Sequence, residues 1–243
     1  MSCRLSQWIN ERRAAGGEPT GAEAVPAATV VLLRDGEQGV EVLLARRSSR
    51  LAFHGGAWVF PGGRIDPDDY GDAPRDVLAA ARRAAVREAK EEAGVDVEVD
   101  ALVHLSNWTT PEISPKRFAT WFFAGPVAGG DEAADGGETE ELRWFAPRAA
   151  LSAHAEGEIE LAPPQYVTLL GLREHADMTG ALASIDAAPT PDFVPRFHFT
   201  DDQVAICVYT EDVAYRDIGR LDTNGPRHRL VMRGTDWEYV REY

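Results

Sequence analysis

Glu88, Glu91 and Glu92 stand at i, i+3 and i+4 in the run Arg87-Glu88-Ala89-Lys90-Glu91-Glu92-Ala93-Gly94-Val95. That spacing sets three carboxylates on one face of a helix. Gly94 follows where a helix end favours a left-handed residue, so the acids fall near the C-terminus. The helix dipole opposes them there, by roughly 0.3–1 kcal/mol each when exposed. An ordinary solvated helix carries lysine or arginine in that turn, and a divalent cation is the simplest charge to offset the cluster. Carboxylate, water and phosphate oxygens are hard ligands suited to Mg²⁺ or Mn²⁺. Such ions polarise a bound oxygen, activate water and neutralise developing negative charge. The plain alternative is a solvated glutamate face.

Phe60-Pro61-Gly62-Gly63 precedes the acidic run at a distance. Together the two segments resemble the Nudix box, G-x5-E-x7-R-E-U-x-E-E-x-G-U, where U is a bulky aliphatic residue. Arg87, Glu88, Glu91, Glu92, Gly94 and Val95 fall on its second half, with Ala89 a small occupant of the first U position. The first half departs. Gly63 and Arg87 are 24 positions apart where the box has fourteen, and Ala79 stands eight before Arg87 in place of glutamate. In the family that glutamate partners the box arginine, so how Arg87 is held is open. The resemblance implies that Glu88 and Glu92 are the main metal ligands, with Glu91 on a second ion or its water. It implies that the backbone at Gly63 approaches the metal through a carbonyl, which glycine permits. Arg87 would orient the cluster by hydrogen bonds. Some members of the family take a general base from a loop outside the box. Glu138, followed by Glu140 and Glu141, is placed for that, although loop glutamates are commonly just solvated; burial near metal is needed to tune it.

The segment from Leu51 to Gly63 is similar to the L-x-x-H-x-G-x-x-x-F-P-G-G element of Nudix enzymes that cleave coenzyme A and acyl-CoA. His54 within it and Arg46, Arg47 and Arg50 just before it are the substrate-binding candidates, the arginines for a 3′-phosphate or diphosphate. The alternatives are a histidine satisfied within a turn and arginines that are strand-end surface charges. Ser106-Asn107-Trp108-Thr109-Thr110-Pro111 and Lys116-Arg117-Phe118-Ala119-Thr120-Trp121-Phe122-Phe123 resemble a stretch of the long-insert, CoA-type members. The insertion with Asp66-Pro67-Asp68-Asp69 does too. The Trp108, Trp121, Phe122 and Phe123 set offers stacking for an adenine, against the commoner role of strand aromatics as core. The activity implied is hydrolysis of a nucleoside diphosphate linked to another moiety, with CoA or acyl-CoA first. ADP-ribose, NADH and other dinucleotides come next. A Nudix module that senses a nucleotide without cleaving it is a further alternative, kept open by Ala79.

The elements that must position these groups follow from pattern. Residues 4–14 read as a short amphipathic helix before a Gly/Pro/Ala-rich link to about residue 26. Residues 27–33 and 40–45 are β-type runs around Asp35-Gly36, a hairpin signal. A short strand at 58–61 delivers the glycines, and 64–74 is a turn-rich insertion. The alanine-rich segment 75–93 has high helix propensity. Strands are expected at 95–106, 117–127 and 140–145, and helices at 147–155 and 164–175. Residues 177–195 read as a polar connector, and the tail gives strands at 204–209, 228–232 and 237–240. The fold expected is α/β of the α+β type. A mixed sheet lies between helices, as the Nudix resemblance implies, with a C-terminal β-rich extension. The organisation is 1–26 helix and linker, 27–177 hydrolase domain, and 178–243 extension packed on it.

At 243 residues, 44% hydrophobic and 27% charged, the chain can build a sizeable core. A net charge of −15 argues against a nucleic-acid groove but not against a small anion beside bound metal. The two cysteines, Cys3 and Cys207, make no disulfide framework or metal cluster. The first sixteen residues lack an apolar core for export, and no run reaches the ~18 apolar residues of a membrane span. The expectation is a cytoplasmic protein with a small-molecule nucleotide partner, without nucleic acid or membrane; a homodimer is left open.

Overall fold

Residues 27–33 are buried without interruption. An apolar run covered on both faces belongs at the centre of a sheet, and that is where it lies. The computed structural model describes residues 4–37, 39–49, 55–72, 75–200 and 204–242. Helix α1 (Arg4–Ala14) precedes β1 (Ala24–Gly36), β2 (Gly39–Arg47), β3 (Trp58–Val59) and β4 (Gly62–Arg64). After a 3₁₀ turn at Pro67–Tyr70 comes α2 (Val77–Ala93), then β5 (Val95–Asp96), β6 (Val103–Thr109), β7 (Arg117–Pro126), β8 (Gly129–Gly130) and β9 (Thr139–Phe145). Helices α3 (Pro147–Ala155), α4 (Pro163–Leu172) and α5 (Met178–Ala187) lead to β10 (Asp192–Phe193) and to a tail of β11 (Arg196–Phe199), β12 (Ala205–Val208), β13 (Arg227–Arg233) and β14 (Asp236–Glu242).

The main sheet runs β10-β6-β7-β1-β2-β3, with β4 added to β1 and β9 to β2. It is mixed: β1 pairs parallel with β7 from Ala24↔Arg117 to Leu33↔Pro126, while β2 and β4 are antiparallel to β1. Alternate residues of β1 serve opposite faces, as strand geometry demands. Val30 and Leu32 meet the buried alanines of α2, among them Ala81, Ala85 and Ala89. Val31 and Leu33 face the second core, with Leu161 and Leu169. Alanine along α2 lets that helix lie close to the sheet. The tail forms its own antiparallel sheet, β11-β12-β13-β14, and puts Cys207, Leu230 and Met232 into the second core. Among the described residues no helix is long and apolar enough to cross a membrane.

Several sequence expectations need correction. The hairpin ladder extends to Gly36↔Gly39, so Asp35-Gly36 sits in the strand pairing instead of at the turn. The single strand expected at 95–106 is interrupted by a 3₁₀ turn at Val99–Ala101, where Ala101 N–H donates to the Glu98 carbonyl at 3.0 Å. The connector at 177–195 contains α5, capped by Asp177, whose side chain accepts from Gly180 N–H at 2.7 Å. This helix was hidden because its cap is one aspartate and its length three turns. The tail has four strands, β11 being the one without a clear run.

A buried ion pair fixes the tail. Asp212 accepts from Arg229 Nε and Nη2, both at 2.7 Å, and from the N–H groups of Ala214 and His228. Burial alone would raise this carboxyl, but Arg229 and the two N–H donors outweigh it and hold it below its ordinary value. A depressed carboxyl stabilises the fold above its unfolded pKa and loses that contribution as pH falls through the folded one. Acid titration of Asp212→Asn should therefore lose less stability than wild type below about pH 4. Tm measured from pH 6 downwards checks this.

Candidate active site

Three elements bring the chemistry together. Strand β4 carries the glycine pair, the last turns of α2 carry the carboxylates, and the loop before β9 carries Glu138. The α2 helix starts at Asp76, which accepts from Ala79 N–H at 3.0 Å, and stops at Gly94 with φ 71°. Between those caps Glu88 and Glu92 turn inward and are buried, while Glu91 stays largely exposed. Glu92 Oε2 accepts from Gly62 N–H at 3.0 Å. Gly63 lies against Glu88 so closely that a Cβ there would fall on the carboxylate.

Burial dominates the titration of the inward pair. Loss of water pushes the Glu92 carboxyl up to about 7, against the opposing Gly62 N–H, with Glu88 and Glu138 adding repulsion. Glu88 is likewise raised by burial, with Arg87 pulling the other way. Two carboxyls held above their ordinary range in one cavity mean that burial there disfavours their ionised forms.

Arg87 is the hub. Its Nη1 donates to Glu88 Oε1 at 2.8 Å and Glu91 Oε2 at 2.9 Å, and its Nη2 donates to the Arg64 carbonyl at 2.9 Å. The remaining bonds go to Asp69, from Nη2 at 3.0 Å and Nε at 3.3 Å. Asp69 leads the causes that hold the guanidinium more firmly protonated than an ordinary arginine. Asp69 is buried and belongs to the 3₁₀ turn of the insertion, which Arg83 also grips through the Asp69 and Tyr70 carbonyls. The partner that Ala79 could not supply is therefore Asp69. It stands six residues after Gly63, where the G-x5-E count places the acid when taken from the glycine side. The ten extra residues lie between it and Arg87, so counting back from Arg87 missed it. Asp69→Asn leaves shape but removes the charge that holds Arg87. By analogy with residues that orient metal ligands, activity should fall about 10- to 100-fold. Rates beside a melting curve check this, since loss of folding would show in both.

The other candidates divide. Arg47 and Glu138 line the same cavity as Glu88, Glu91 and Glu92, and pair at 3.4 Å. Asp135 shapes the loop under Glu138 by accepting from the N–H groups of Gly137, Glu138 and Thr139. Arg46 is not part of the set. It points away, to Glu140 at 3.7 Å and Glu141 at 3.4 Å, because consecutive strand residues face opposite sides. It is one of the surface arginines. Glu140 is taken up by Ser48 and Ser49, whose hydrogen bonds lower its pKa. Arg50 and His54 lie outside the described residues.

Among the aromatic candidates, Phe123 is core beneath α2. Trp108 is buried and stacked on Phe193, with centroids 3.9 Å apart and planes 7° apart.

A hard cation suits this site chemically. The donors are carboxylate oxygens, two of them buried with raised pKa, in a cavity of about 790 Å³. Among the described residues, however, no three His, Cys, Asp or Glu side chains converge as a ready-made ion site. Arg87 stands between Glu88 and Glu91, and Gly62 holds Glu92.

Comparison with known proteins agrees with this geometry. A peroxisomal coenzyme A diphosphatase of Caenorhabditis elegans is 39% identical over 87 residues, 35% of this chain and 34% of that protein. A Bacillus subtilis (strain 168) protein provisionally named an 8-oxo-dGTP diphosphatase is 31% identical over 120 residues, 49% of this chain and 65% of the relative. The chain thus spans less than two thirds of either. A crystal structure of a NUDIX hydrolase from Alicyclobacillus acidocaldarius shares the fold, with TM-score 0.63 at 23% identity over 70% of this chain and all of that one. The model of the NUDIX domain matches residues 24–164. That span is more than half of the chain and includes the glycine pair, Asp69 and the whole acidic helix: the chain belongs to the NUDIX family.

Proposed function

We propose that this protein hydrolyses the diphosphate bond of a nucleoside diphosphate linked to another moiety, with Mg²⁺ or Mn²⁺. The observation that carries the reading is the meeting of Glu88, Glu91 and Glu92 with Gly63, Arg47 and Glu138 around one cavity. Residues 27–177 carry the chemistry in this reading, and 178–243 extend it. Glu88 and Glu92 would hold the ion, with Glu91 and the Gly63 carbonyl as further oxygens. When bound, the ion supplies Lewis-acid polarisation of the diphosphate and an acidified water.

The chain's own residues do the rest. Arg47, at the cavity wall, meets a phosphate oxygen with a charge-assisted hydrogen bond. Glu138 accepts the proton of the attacking water. Arg87 touches no substrate; it orients Glu88 and Glu91 and is itself oriented by Asp69.

Coenzyme A or acyl-CoA is the leading substrate, giving 3′,5′-ADP and a phosphopantetheine. Its support is the Leu51 to Gly63 element and the similarity to a CoA diphosphatase. ADP-ribose and NADH are the next group. A panel of these compounds with Mg²⁺ or Mn²⁺, resolved by product masses, decides. Phosphopantetheine as the main product supports the CoA choice, whereas preference for NADH rejects it. Tight nucleotide binding without turnover would favour a sensing module.

A further inference from the structure

The cavity that holds the acidic cluster is also lined by residues of a different character. Its wall includes Trp8 from α1, Pro195 and Phe197 from the start of the tail, Phe118 from β7, and Gln165 from α4. Trp8 and Phe197 pack edge to face, with ring centroids 5.4 Å apart and planes at 81°. Trp8 precedes the span 24–164 and Phe197 follows it, and only Phe118 of the five lies within that span. Helix α4 is tied to the tail sheet by Tyr166, whose hydroxyl donates to the Trp237 carbonyl at 2.7 Å. The parts outside the family domain thus build one side of its substrate cavity.

Gln165 is the polar exception in this wall. The residue is only 7% exposed, and Oε1 has no hydrogen-bond partner among the described residues. An unsatisfied buried carbonyl is unfavourable, because the water it lost has not been replaced by another donor. A ligand that brings an N–H donor removes that cost.

On the basis of the diphosphate-hydrolase reading, we propose that this wall is the subsite for one organic half of the substrate, and that it selects an apolar or flat group carrying an N–H that bonds to Gln165. A pantetheine arm with its amides has this chemistry, and so does a nucleobase with an amino group. The diphosphate would lie at the carboxylates that line the same cavity, with one organic half reaching Trp8 and Phe197. Such a half gains ring or apolar contact as well as the hydrogen bond.

The test compares wild type with Gln165→Met, which keeps side-chain size and removes the amide, and with Phe197→Leu. Each is titrated with AMP, phosphopantetheine and inorganic pyrophosphate by calorimetry, so the readout needs no turnover. Where a substrate is cleaved, KM and kcat are also split. Gln165→Met should weaken one organic half about 5- to 10-fold. Pyrophosphate should bind unchanged, and KM should rise with kcat kept. Loss of AMP affinity places the base at the wall; loss of phosphopantetheine affinity places the arm there. Unchanged affinity for both organic halves in both variants overturns the proposal, as does an equal loss of pyrophosphate affinity in Gln165→Met. Absence of turnover in wild type would sink the hydrolase reading alone, because the binding comparison still reads the wall.

Discussion

Glu92→Gln should lower turnover of any diphosphate substrate by about 100- to 1,000-fold while the protein stays folded. The substitution keeps the shape of the side chain and its bond from Gly62 N–H, because the amide oxygen can take the place of Oε2. What it removes is the negative charge by which Glu92 is proposed to hold the ion. Loss of charge is not expected to harm the fold, since burial holds this carboxyl up to about 7 and its ionised form is the unfavourable one. A group with a raised folded pKa stabilises most below its unfolded value and loses that contribution as pH rises through the folded one. The wild-type protein without metal should therefore lose stability between about pH 4.5 and 7, and Glu92→Gln should lose less. At pH 8 the variant's Tm should equal or exceed that of the wild type. Activity retained within a few-fold, with Tm unchanged, would remove Glu92 from the metal set.

Gly63→Ala should be nearly as damaging, and for a steric reason. A methyl group there overlaps the Glu88 carboxylate, which is packed between β4 and α2 and bonded to Arg87. Either Glu88 turns away or β4 shifts from its pairing with β1, where Gly63 lies opposite Ala28. Overpacking of this kind costs about 1–3 kcal/mol of stability. Displacement of a catalytic group by an ångström can cost about 100-fold in rate. Gly71, whose φ of 52° marks a turn in the insertion, makes a useful control. Its alanine variant should lose stability with a much smaller loss of rate. If Gly63→Ala and Gly71→Ala lost rate equally, the close approach to Glu88 would have no special role.

The acidic helix was legible in the sequence because everything that defines it is local. The i, i+3, i+4 spacing, the glycine stop and the alanine-rich body all lie within one segment, and α2 spans Val77–Ala93 as that pattern requires. The Arg47 and Glu138 pairing was legible only as two separate candidates. Strand alternation decides between Arg46 and Arg47, and residue type alone does not state which face is inward. Asp69 was missed because the insertion moves it away from α2 in sequence while the 3₁₀ turn returns it in space. Counting from Gly63 would have found it. The Trp8 and Phe197 wall had no local signal at all, since its partners meet only after the tail sheet packs on the domain. Helix α5 and strand β11 escaped because each is short and one cap or one alternation is weak evidence against a polar, proline-bearing background.

Metal removal and return tests the central claim most directly. Protein stripped with a chelator and dialysed should show no cleavage of coenzyme A, ADP-ribose or NADH. Added Mg²⁺ or Mn²⁺ should restore cleavage of at least one, with both products carrying a single phosphate at the broken anhydride. Glu92→Gln should remain inactive at metal concentrations that saturate the wild type. Cleavage that survives chelation, or nucleotide binding with no cleavage at any metal concentration, would contradict the assignment of Glu88, Glu91 and Glu92 to a metal-dependent diphosphate chemistry.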